Sequence, residues 1–251
     1  ELVSFVRDTS ERIELLPYGA GSGICGATIP TGEARAYKVM IDMKRLRALR
    51  RLDAISQTVT VEVGWIGENL ERELNRQGFT LGHFPSSIYC SSVGGYLAAR
   101  SAGQLSTKYG KMEDLVLSLE VVLPTGEVIE TGRAPRSAMG PDWTQLLLGS
   151  EGSLCIFTAA TLQIQPIAKH RIFRGFAARD MDLAFRWTRE VMQAGLRPAA
   201  LRVYDPLETQ LTQSSEMLKE VDFLGGALII AVWEGQCEKV MAAEVEEAES
   251  L

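Results

Sequence analysis

The chain has 251 residues, of which 46% are hydrophobic and 23% charged, and its 26 basic and 32 acidic residues give a formal net charge of -6. This composition suits a globular protein with room for two compact units, and the acidic balance argues against general binding to nucleic acid or to an anionic membrane surface. No run reaches the roughly twenty apolar residues of a membrane span, and the first residues lack the pattern of a signal peptide. We therefore expect a cytoplasmic protein without a transmembrane segment, while a peripheral membrane position or an organelle lumen stays open.

The cysteines are far apart in the sequence and form no C-x-x-C pair: Cys25, Cys90, Cys155 and Cys237. Only two histidines, His83 and His170, are available to complete a metal site, so no metal is predicted. We expect reduced thiols that are mostly buried.

Both ends of the sequence resemble interior segments of a longer protein. Residues 1–7 resemble the tail of an amphipathic helix, and residues 239–251 stop inside a helical run without a Gly or Pro stop signal. We expect a fragment of a longer protein.

The first predicted elements are strands joined by a glycine-rich loop. Ile13 to Leu16 is a short strand that runs through Pro17 into the loop 19–23, and Lys38 to Asp42 is the next apolar run.

The next segment predicts a strand followed by a helix. Gln57 to Gly64 alternates with period two and is rich in β-branched residues, which is typical of a strand. Ile66, Leu70 and Leu74 are four residues apart, on one face of a helix that ends at Gly78.

Two further segments predict sheet structure. Leu115 to Leu123 and Glu127 to Thr131 flank residues 124–126 (PTG), whose Pro and Gly favour the turn of a β-hairpin. Ser153 to Thr158 and Ala160 to Gln165 are expected to extend the sheet.

The pattern changes after Pro166, and a second domain is predicted to begin near residue 168. Met181 to Ala194 is an amphipathic helix with Gly195 as its stop, followed by strands at Ala199 to Tyr204 and Ala227 to Trp233. The inward face of this helix is predicted to carry Leu183, Ala184, Trp187 and Val191.

A first glycine motif, residues 21–26 (GSGICG), matches G-x-G-x-x-G by letter. The nicotinamide-binding Rossmann fingerprint needs a helix directly after these glycines, but Pro30 and Gly32 leave little room for one. That interpretation stays an alternative, and it predicts a helix from Ile24 onward. Without a helix, successive backbone N–H groups still form an anion-binding nest, and Ser22 adds a hydroxyl. A plain glycine-rich turn between two strands stays open as well.

A second motif runs from Pro85 to Gly103, where nearly every third residue is Ser, Gly or Ala. Small residues let a backbone approach a flat ring or a pyrophosphate closely. Residues 96–99 predict a short helix whose first amides, at Gly94 and Gly95, would face a phosphate. The alternative is a small-residue helix packed closely on its neighbour.

A third motif, residues 149–154 (GSEGSL), leads straight into a strand. Its carboxylate, Glu151, has no titratable partner nearby in sequence. A turn carboxylate, or one that hydrogen-bonds a ribose or a backbone amide, is therefore favoured over a general base.

Four other residues are weighed on their chemistry. His83, beside the small-residue segment, suits a covalent flavin tether or a proton carrier, or it is a half-exposed loop histidine. Lys108 and Tyr109 are candidate neighbours of a ligand ring or phosphate. The alternative is that both are residues at the rim of the site. Arg202 on its predicted strand suits bidentate binding of a substrate carboxylate or phosphate, or it is a solvated strand arginine.

Taken in order, five segments resemble FAD-linked oxidases and dehydrogenases of the vanillyl-alcohol oxidase and p-cresol methylhydroxylase type. The resemblance is carried by PYGAGSGICGATIP, TVTVEVG, SSVGGYLAARSAGQLSTKYGKMEDLV, EVVLPTGEVIETG and LLLGSEGSLCIFTAATLQI. Within this group the sequence looks most like alkyldihydroxyacetonephosphate synthases and their bacterial relatives, with the D-lactate dehydrogenase and glycolate oxidase branch next.

The resemblance implies an α+β protein: a two-lobed FAD-binding domain over residues 1–167, truncated at its N-terminus, then the first part of an α/β cap domain over 168–251. It implies FAD as the cofactor. By motif position the expected FAD contacts are Gly19, Ala20, Gly21, Ser22 and Gly23 around the pyrophosphate, then Pro85, Ser86, Ser92, Gly95 and Ser101 along the cofactor, and Glu151, Gly152 and Ile156 towards its other side.

The resemblance also implies an activity. It is that of an FAD-dependent oxidoreductase or alkyl-transferring synthase acting through flavin N5 on a small, oxygenated, anionic substrate. A 2-hydroxy acid dehydrogenase of the D-lactate or glycolate type is the first alternative, and a non-catalytic FAD-binding module is another.

The resemblance places the catalytic histidine and tyrosine positions of such enzymes in segments that this sequence does not contain. No catalytic base is therefore named, Arg202 is the candidate substrate-anion ligand, and we expect the fragment alone to be inactive. A small-molecule substrate is expected, and a homodimer stays open.

Overall fold

The structure is a computed structural model that describes residues 1–30, 37–132, 138–213 and 226–251. The chain divides into two compact units. Unit 1 comprises Glu1–Gly103 and Gly110–Pro166, and unit 2 comprises Gln104–Tyr109 and Ile167–Leu251. The chain therefore leaves unit 1 after Gly103, gives a short segment to unit 2, and returns to unit 1 at Gly110.

The described residues contain both helices and strands, as an α+β protein should. The strands are β1 (Ile13–Tyr18), β2 (Tyr37–Asp42), β3 (Leu49–Asp53), β4 (Thr58–Glu62), β5 (Phe79–Thr80), β6 (Val116–Val122), β7 (Val128–Glu130), β8 (Ile156–Gln163), β9 (Gln165–Pro166), β10 (His170–Ala178), β11 (Ala200–Tyr204) and β12 (Ala227–Gly235). The helices are α1 (Leu2–Asp8), α2 (Gly67–Arg76), α3 (Val93–Ala98), α4 (Ser106–Tyr109), α5 (Met112–Leu115), α6 (Trp143–Leu147), α7 (Met181–Gln193), α8 (Pro206–Gln213) and α9 (Glu238–Ser250).

Unit 1 is organised around a five-stranded sheet in the order β3-β4-β8-β6-β7, in which each paired strand is antiparallel to its neighbour. A separate parallel pair joins β1 to β2, and a short antiparallel pair joins β5 to β9. Since β1 ends at Tyr18, the glycine loop begins where this parallel pair ends.

The core of unit 1 follows from the sequence periodicity. Val59 and Val61 alternate along β4, and both are fully buried. Leu70 and Leu74, four apart on α2, are also fully buried, because a helix brings such positions to one face. Burial of each such side chain stabilises the fold by about 1.5–3 kcal/mol.

Unit 2 is a three-stranded antiparallel sheet in the order β10-β12-β11, with helices packed against it. Trp233 on β12 is 1% exposed and belongs to a cluster with Val191 of α7 and Met241 and Val245 of α9. Asp180 begins α7 because its carboxylate accepts a hydrogen bond from Leu183 N at 2.9 Å.

Most predicted elements are present, and the differences have physical causes. The predicted strands Ser153 to Thr158 and Ala160 to Gln165 are joined in one strand, β8, which begins at Ile156 and ends at Gln163, because alternate residues of this run are buried across the predicted gap. Strand β10 was not predicted, because its arginines and glycine mask the alternation. The prediction that Leu183 faces inward is wrong: it is 41% exposed, whereas Ala184 and Val191 are fully buried.

The prediction of mostly buried thiols is also wrong. All four cysteines are free, but only Cys155 is buried, and the other three lie in loops or at a helix end, where the chain is solvated. The buried-cysteine tendency is a statistical preference that local loop structure overrides.

The Rossmann alternative is wrong, since no helix begins at Ile24. Between Gly19 and Pro30 the backbone has only turns, bends and irregular structure, while Gly32 lies outside the described residues.

Candidate functional site

The three small-residue motifs meet at one cleft in unit 1, with a cavity volume of about 320 Å³. That volume falls within the range of small-molecule sites. The cleft is lined by Pro17, Gly19, Ala20, Gly21, Ser22, Gly23, Ile24, Cys25, Ala27, Thr28, Met43, Val63, Ser87, Ser91, Ser92, Gly94, Gly95, Tyr96, Ala98, Ala99, Ser101, Glu151, Gly152, Cys155 and Phe157.

The glycine loop touches the second motif directly. A Cβ on Gly19 would overlap Ser92 Oγ, so only glycine permits this approach of the two backbones. Gly21 has φ +66°, a conformation that favours glycine.

The second motif uses its hydroxyls to fix its own backbone. Ser92 Oγ accepts a hydrogen bond from Gly95 N at 3.2 Å and so begins α3, while Gly94 N donates to Val63 O at 2.8 Å. Both amides are therefore satisfied within the protein, and the expected arrangement in which they face a phosphate is not found.

The third motif is tied to the other two. Glu151 N donates to Ala98 O at 3.1 Å, and a Cβ on Gly152 would lie 3.4 Å from the Pro17 ring. Glu151 has φ +49° and Gly152 has φ +84°, so the loop turns sharply where it lines the cleft. The three motifs thus form one continuous lining, although they are far apart in sequence.

His83 lies behind this lining and is 2% exposed, so the alternative of a half-exposed loop histidine is wrong. Its Nε2 is 3.0 Å from Ser101 Oγ, its ring packs edge-on against Tyr96 at 4.7 Å, and its Nδ1 has no hydrogen-bond partner among the described residues. Burial lowers the pKa of His83 to about 4, so the imidazole is neutral at pH 7. His83 does not line the cleft itself.

Tyr96, whose ring packs against His83, is a second polar member of the lining beside this histidine. Its hydroxyl is 3.0 Å from Ser91 Oγ, and burial raises the pKa of the phenol. Ser91 in turn donates to Ser87 O at 2.7 Å. Ser87, Ser91 and Tyr96 are thus linked by hydrogen bonds within the lining of the cleft.

Lys108, Tyr109 and Arg202 lie in unit 2. Lys108 Nζ donates to Glu234 O, and Tyr109 Oη donates to Glu234 Oε1 at 2.5 Å. Arg202 is exposed on β11 with its guanidinium over the Tyr204 ring at 4.6 Å, and no carboxylate of the described residues is bonded to it.

Most of the expected cofactor contacts line the cleft: Gly19, Ala20, Gly21, Ser22, Gly23, Ser92, Gly95, Ser101, Glu151 and Gly152. Pro85, Ser86 and Ile156 do not line it. Pro85 is buried and Ser86 is exposed, although both belong to the second motif.

Ile156 shows why sequence reasoning missed two lining residues. Successive side chains along an extended backbone point to opposite faces. Cys155 and Phe157 line the cleft and are also buried members of the core of unit 1, whereas Ile156 between them is only partly buried against that core and does not line the cleft. The motif predicted the strand correctly, but Ile156 was the wrong residue to choose as a cleft contact. The alternation along residues 155–157 was the signal that could have identified Cys155 and Phe157.

The lining is suited to an anion held by the peptide backbone. Among the described residues that line the cleft there is no Lys or Arg, and Glu151 is the only carboxylate. Glycines and serines dominate the contact between the loops, so N–H groups and hydroxyls are the donors available. This lining fits the pyrophosphate and ring of a dinucleotide, for which close backbone approach is needed.

The fold and the cleft together define a dinucleotide-binding protein of a kind that uses loops and no Rossmann helix. The FAD binding domain family matches residues 1–132, which is more than half of the chain. The chain belongs to this family, and its cofactor is FAD.

Known relatives agree with this assignment. The chain is 36% identical over 200 residues to alkyldihydroxyacetonephosphate synthase of Dictyostelium discoideum, which covers 80% of this chain and 32% of the relative. It is 38% identical over 165 residues to the mitochondrial D-lactate dehydrogenase [cytochrome] of Arabidopsis thaliana, which covers 64% of this chain and 28% of the relative.

A solved structure of alkyldihydroxyacetonephosphate synthase superposes with a TM-score of 0.87 at 32% identity, over 99% of this chain and 47% of that chain. The expected FAD-binding fold is confirmed. The chain spans about a third of the length of the curated relatives it matches, at 32% and 28%. No helix among the described residues is long and apolar enough to cross a membrane.

Proposed function

We propose that this chain is the FAD-binding part of a flavoenzyme that acts on a small, oxygenated, anionic substrate in the manner of an alkyldihydroxyacetonephosphate synthase. The observation that carries the proposal is the junction of three distant loops, at Gly19 with Ser92 and at Gly152 with Pro17. The likeness to the synthase, in sequence and over nearly the whole fold, supports the choice of branch.

The residues proposed to hold FAD are those of the three motifs that line the cleft. We assign the glycine loop, residues 19–23, to the pyrophosphate, because this loop lines the cleft and the backbone N–H groups of a glycine-rich loop can form an anion-binding nest. Ser92, Gly95 and Ser101 continue along the cofactor, and Glu151 and Gly152 close the other side. When bound, the isoalloxazine supplies hydride-accepting and electrophilic chemistry at N5.

The protein's own residues then contribute orientation and exclusion of water. Phe157 and Val63 are apolar members of the lining, and Tyr96 and Ser91, bonded to each other, are polar members of it. We propose residues 1–167 as the FAD-binding domain and 168–251 as the first part of a cap domain.

Arg202 is the proposed ligand for the substrate anion. Its guanidinium is exposed on β11, stacked over Tyr204, and without a bonded carboxylate among the described residues. A planar guanidinium binds carboxylate or phosphate bidentately, which an ammonium does not. Arg202→Lys, made in the full-length protein, is expected to raise KM with little change in FAD binding.

The first test is a titration of the 251-residue chain with FAD, followed by the flavin absorbance bands after gel filtration. Retained flavin supports the cofactor site. A chain that stays colourless after reconstitution overturns it and the enzyme proposal with it.

The second test separates the branches in the full-length protein. Formation of an alkyl ether from an acyl ester of dihydroxyacetone phosphate and a long-chain alcohol would support the synthase. Anaerobic bleaching of the flavin by D-lactate or glycolate would instead support the dehydrogenase branch, which the likeness to the Arabidopsis enzyme favours as second candidate. Bound flavin with neither reaction would support a non-catalytic FAD-binding module.

A further inference from the structure

Arg100 is the second residue after α3 and does not line the cleft, yet it contacts the loop that forms the cleft's third side. Its Nε donates to Leu148 O at 3.1 Å and its Nη2 donates to Gln145 O. Gln145 lies in the last turn of α6, where helix carbonyls lack partners within the helix, and Leu148 is the residue directly after the helix. The guanidinium therefore closes the end of α6 with two donors at once.

The loop after α6 is shaped around this side chain. A Cβ on Gly149 would lie 3.0 Å from the Cγ, Cδ and Nε atoms of Arg100, so the loop backbone packs flat against the arginine. Gly149 N donates to Leu97 O at 3.0 Å, and Glu151 N donates to Ala98 O at 3.1 Å. The loop is thus held to α3 and to the residues that follow it by two backbone bonds and one forked side chain.

This arrangement stores backbone strain at two non-glycine residues. Arg100 has φ +47° and Glu151 has φ +49°, both in the left-handed region. Such conformations persist only where the surroundings over-determine them. Glu151 and Gly152 line the cleft in this conformation, so the strained loop and the proposed cofactor site are the same segment.

The charge around Arg100 is partly balanced. Glu113 Oε2 lies 3.8 Å from its Nη1, and Glu113 Oε1 is itself 2.6 Å from Lys111 Nζ. Because the distance to Glu113 is long, the ion pair is the weaker contact of Arg100, and the hydrogen bonds to the two carbonyls are the stronger contacts. The guanidinium's shape, more than its charge, matches these partners.

We infer that Arg100 is a positioning residue for FAD, which holds the loop 149–152 in the conformation that the cofactor requires. The inference rests on the proposed FAD site. Without the forked contact, a smaller fraction of molecules has the loop in the binding conformation, and the apparent affinity for FAD falls by that fraction.

The experiment compares Arg100→Gln, Arg100→Lys and a matched control, Arg50→Gln, in the 251-residue chain. Arg50 is also a forked arginine in unit 1, bonded to Glu62 and Glu120, but it does not line the cleft or touch the loop 149–152. Three quantities are measured: the Kd for FAD, the thermal midpoint of the apoprotein, and amide hydrogen exchange at Gly149 and Glu151.

Loss of charge-assisted hydrogen bonds predicts that Arg100→Gln weakens FAD binding by about ten- to a hundredfold. Exchange at Gly149 and Glu151 should be faster than in Arg50→Gln even without FAD. Because an ammonium cannot reproduce the fork, Arg100→Lys should restore little of the affinity.

Equal FAD affinity in Arg100→Gln and Arg50→Gln would overturn the inference, and so would full restoration by lysine. If Arg100→Gln does not fold, the lysine variant and its exchange at residues 149 and 151 decide between the same outcomes. A wild-type chain that binds no FAD would overturn the proposed site itself. If the wild type binds FAD and the Arg100 substitutions leave the affinity unchanged, only the role of Arg100 is overturned.

Discussion

Gly19 and Gly23 occupy the same loop, but their surroundings differ. A Cβ on Gly19 would overlap Ser92 Oγ, which caps α3, whereas a Cβ on Gly23 would meet no heavy atom within 4 Å. Gly19→Ala should therefore destabilise the apoprotein by about 1 kcal/mol or more, as loss of a helix cap does. Gly23→Ala should change stability by less than about 0.5 kcal/mol.

Affinity for FAD shows whether the loop 19–23 binds the cofactor or is only a turn between strands. If the loop backbone contacts the cofactor, Gly23→Ala should weaken FAD binding although the apoprotein is unchanged, because the added methyl group lies in the space that the ligand needs. Chemical denaturation and an FAD titration measure the two effects separately. Normal FAD affinity in Gly23→Ala would mean that the loop is only a connection between strands.

His83 predicts a dependence of stability on acid. Burial lowers its pKa in the folded state to about 4 from an ordinary value of 6.5. Above pH 6.5 the imidazole is neutral in both states and the stability is complete. Between pH 6.5 and about 4 the unfolded chain binds the proton and the folded chain does not, so stability falls as the pH falls, by about 3 kcal/mol in all.

The pH dependence is measured by urea unfolding at several pH values. His83→Gln should flatten the curve between pH 6.5 and 4, while His170→Gln, which keeps His83, should retain the slope. The same slope in His83→Gln as in the wild type would show that other groups cause the acid sensitivity.

At the scale of the secondary-structure element, the sequence predicts best those helices and strands that a local residue pattern encodes. Strand β4, helix α2 and the hairpin of β6 and β7 were predictable, because their alternation, four-residue spacing and Pro-Thr-Gly turn are all local signals. The expectation that three motifs share a site came from the types of residue in each and from the family resemblance.

The predictions that were wrong concern side chains whose environment depends on neighbours distant in sequence. Whether Cys155 or its neighbour Ile156 lines the cleft depends on which of two successive side chains faces it, which composition does not reveal. The exposure of Leu183 likewise depends on what packs against that side of α7. The forked contact of Arg100 with the end of α6 joins residues 45 and 48 apart, and no local pattern encodes it.

Strands β10 and β12 offer a second test of packing at this scale. Glu234 is 4% exposed and accepts hydrogen bonds from Tyr109 Oη and from Arg171 Nε, the latter at 2.7 Å. Glu234→Gln weakens both contacts at a buried position, and we expect a loss of about 1–3 kcal/mol in the free energy of unfolding.

Glu249→Gln is the matched control, since Glu249 also pairs with an arginine of β10, Arg174, but both side chains are about half exposed, at 46% and 44%. An exposed pair of this kind is worth about 0–1 kcal/mol. Equal losses in the two variants would mean that the buried contacts at Glu234 add nothing to the stability of unit 2.

At the scale of the whole molecule, FAD should act as a stabilising ligand. A ligand that binds only the folded state at a hundred times its Kd adds about 2.7 kcal/mol to stability. For a chain of this size that corresponds to a rise of about 5–10 °C in the thermal midpoint. The rise should be measured by calorimetry at increasing FAD concentrations.

NAD is the informative control for that measurement, because it shares the adenosine and pyrophosphate of FAD but not the isoalloxazine. If separate loops hold the two halves of the dinucleotide, NAD keeps only the contacts to the shared half and should raise the midpoint much less than FAD at equal concentration. Equal stabilisation by the two dinucleotides would mean that the cleft recognises only the part they share, the adenosine and pyrophosphate, and that the loops at Ser101 and Glu151 contribute no contact to the flavin. If the rise in the thermal midpoint caused by FAD is smaller in Gly23→Ala, the stabilisation by FAD depends on the loop 19–23.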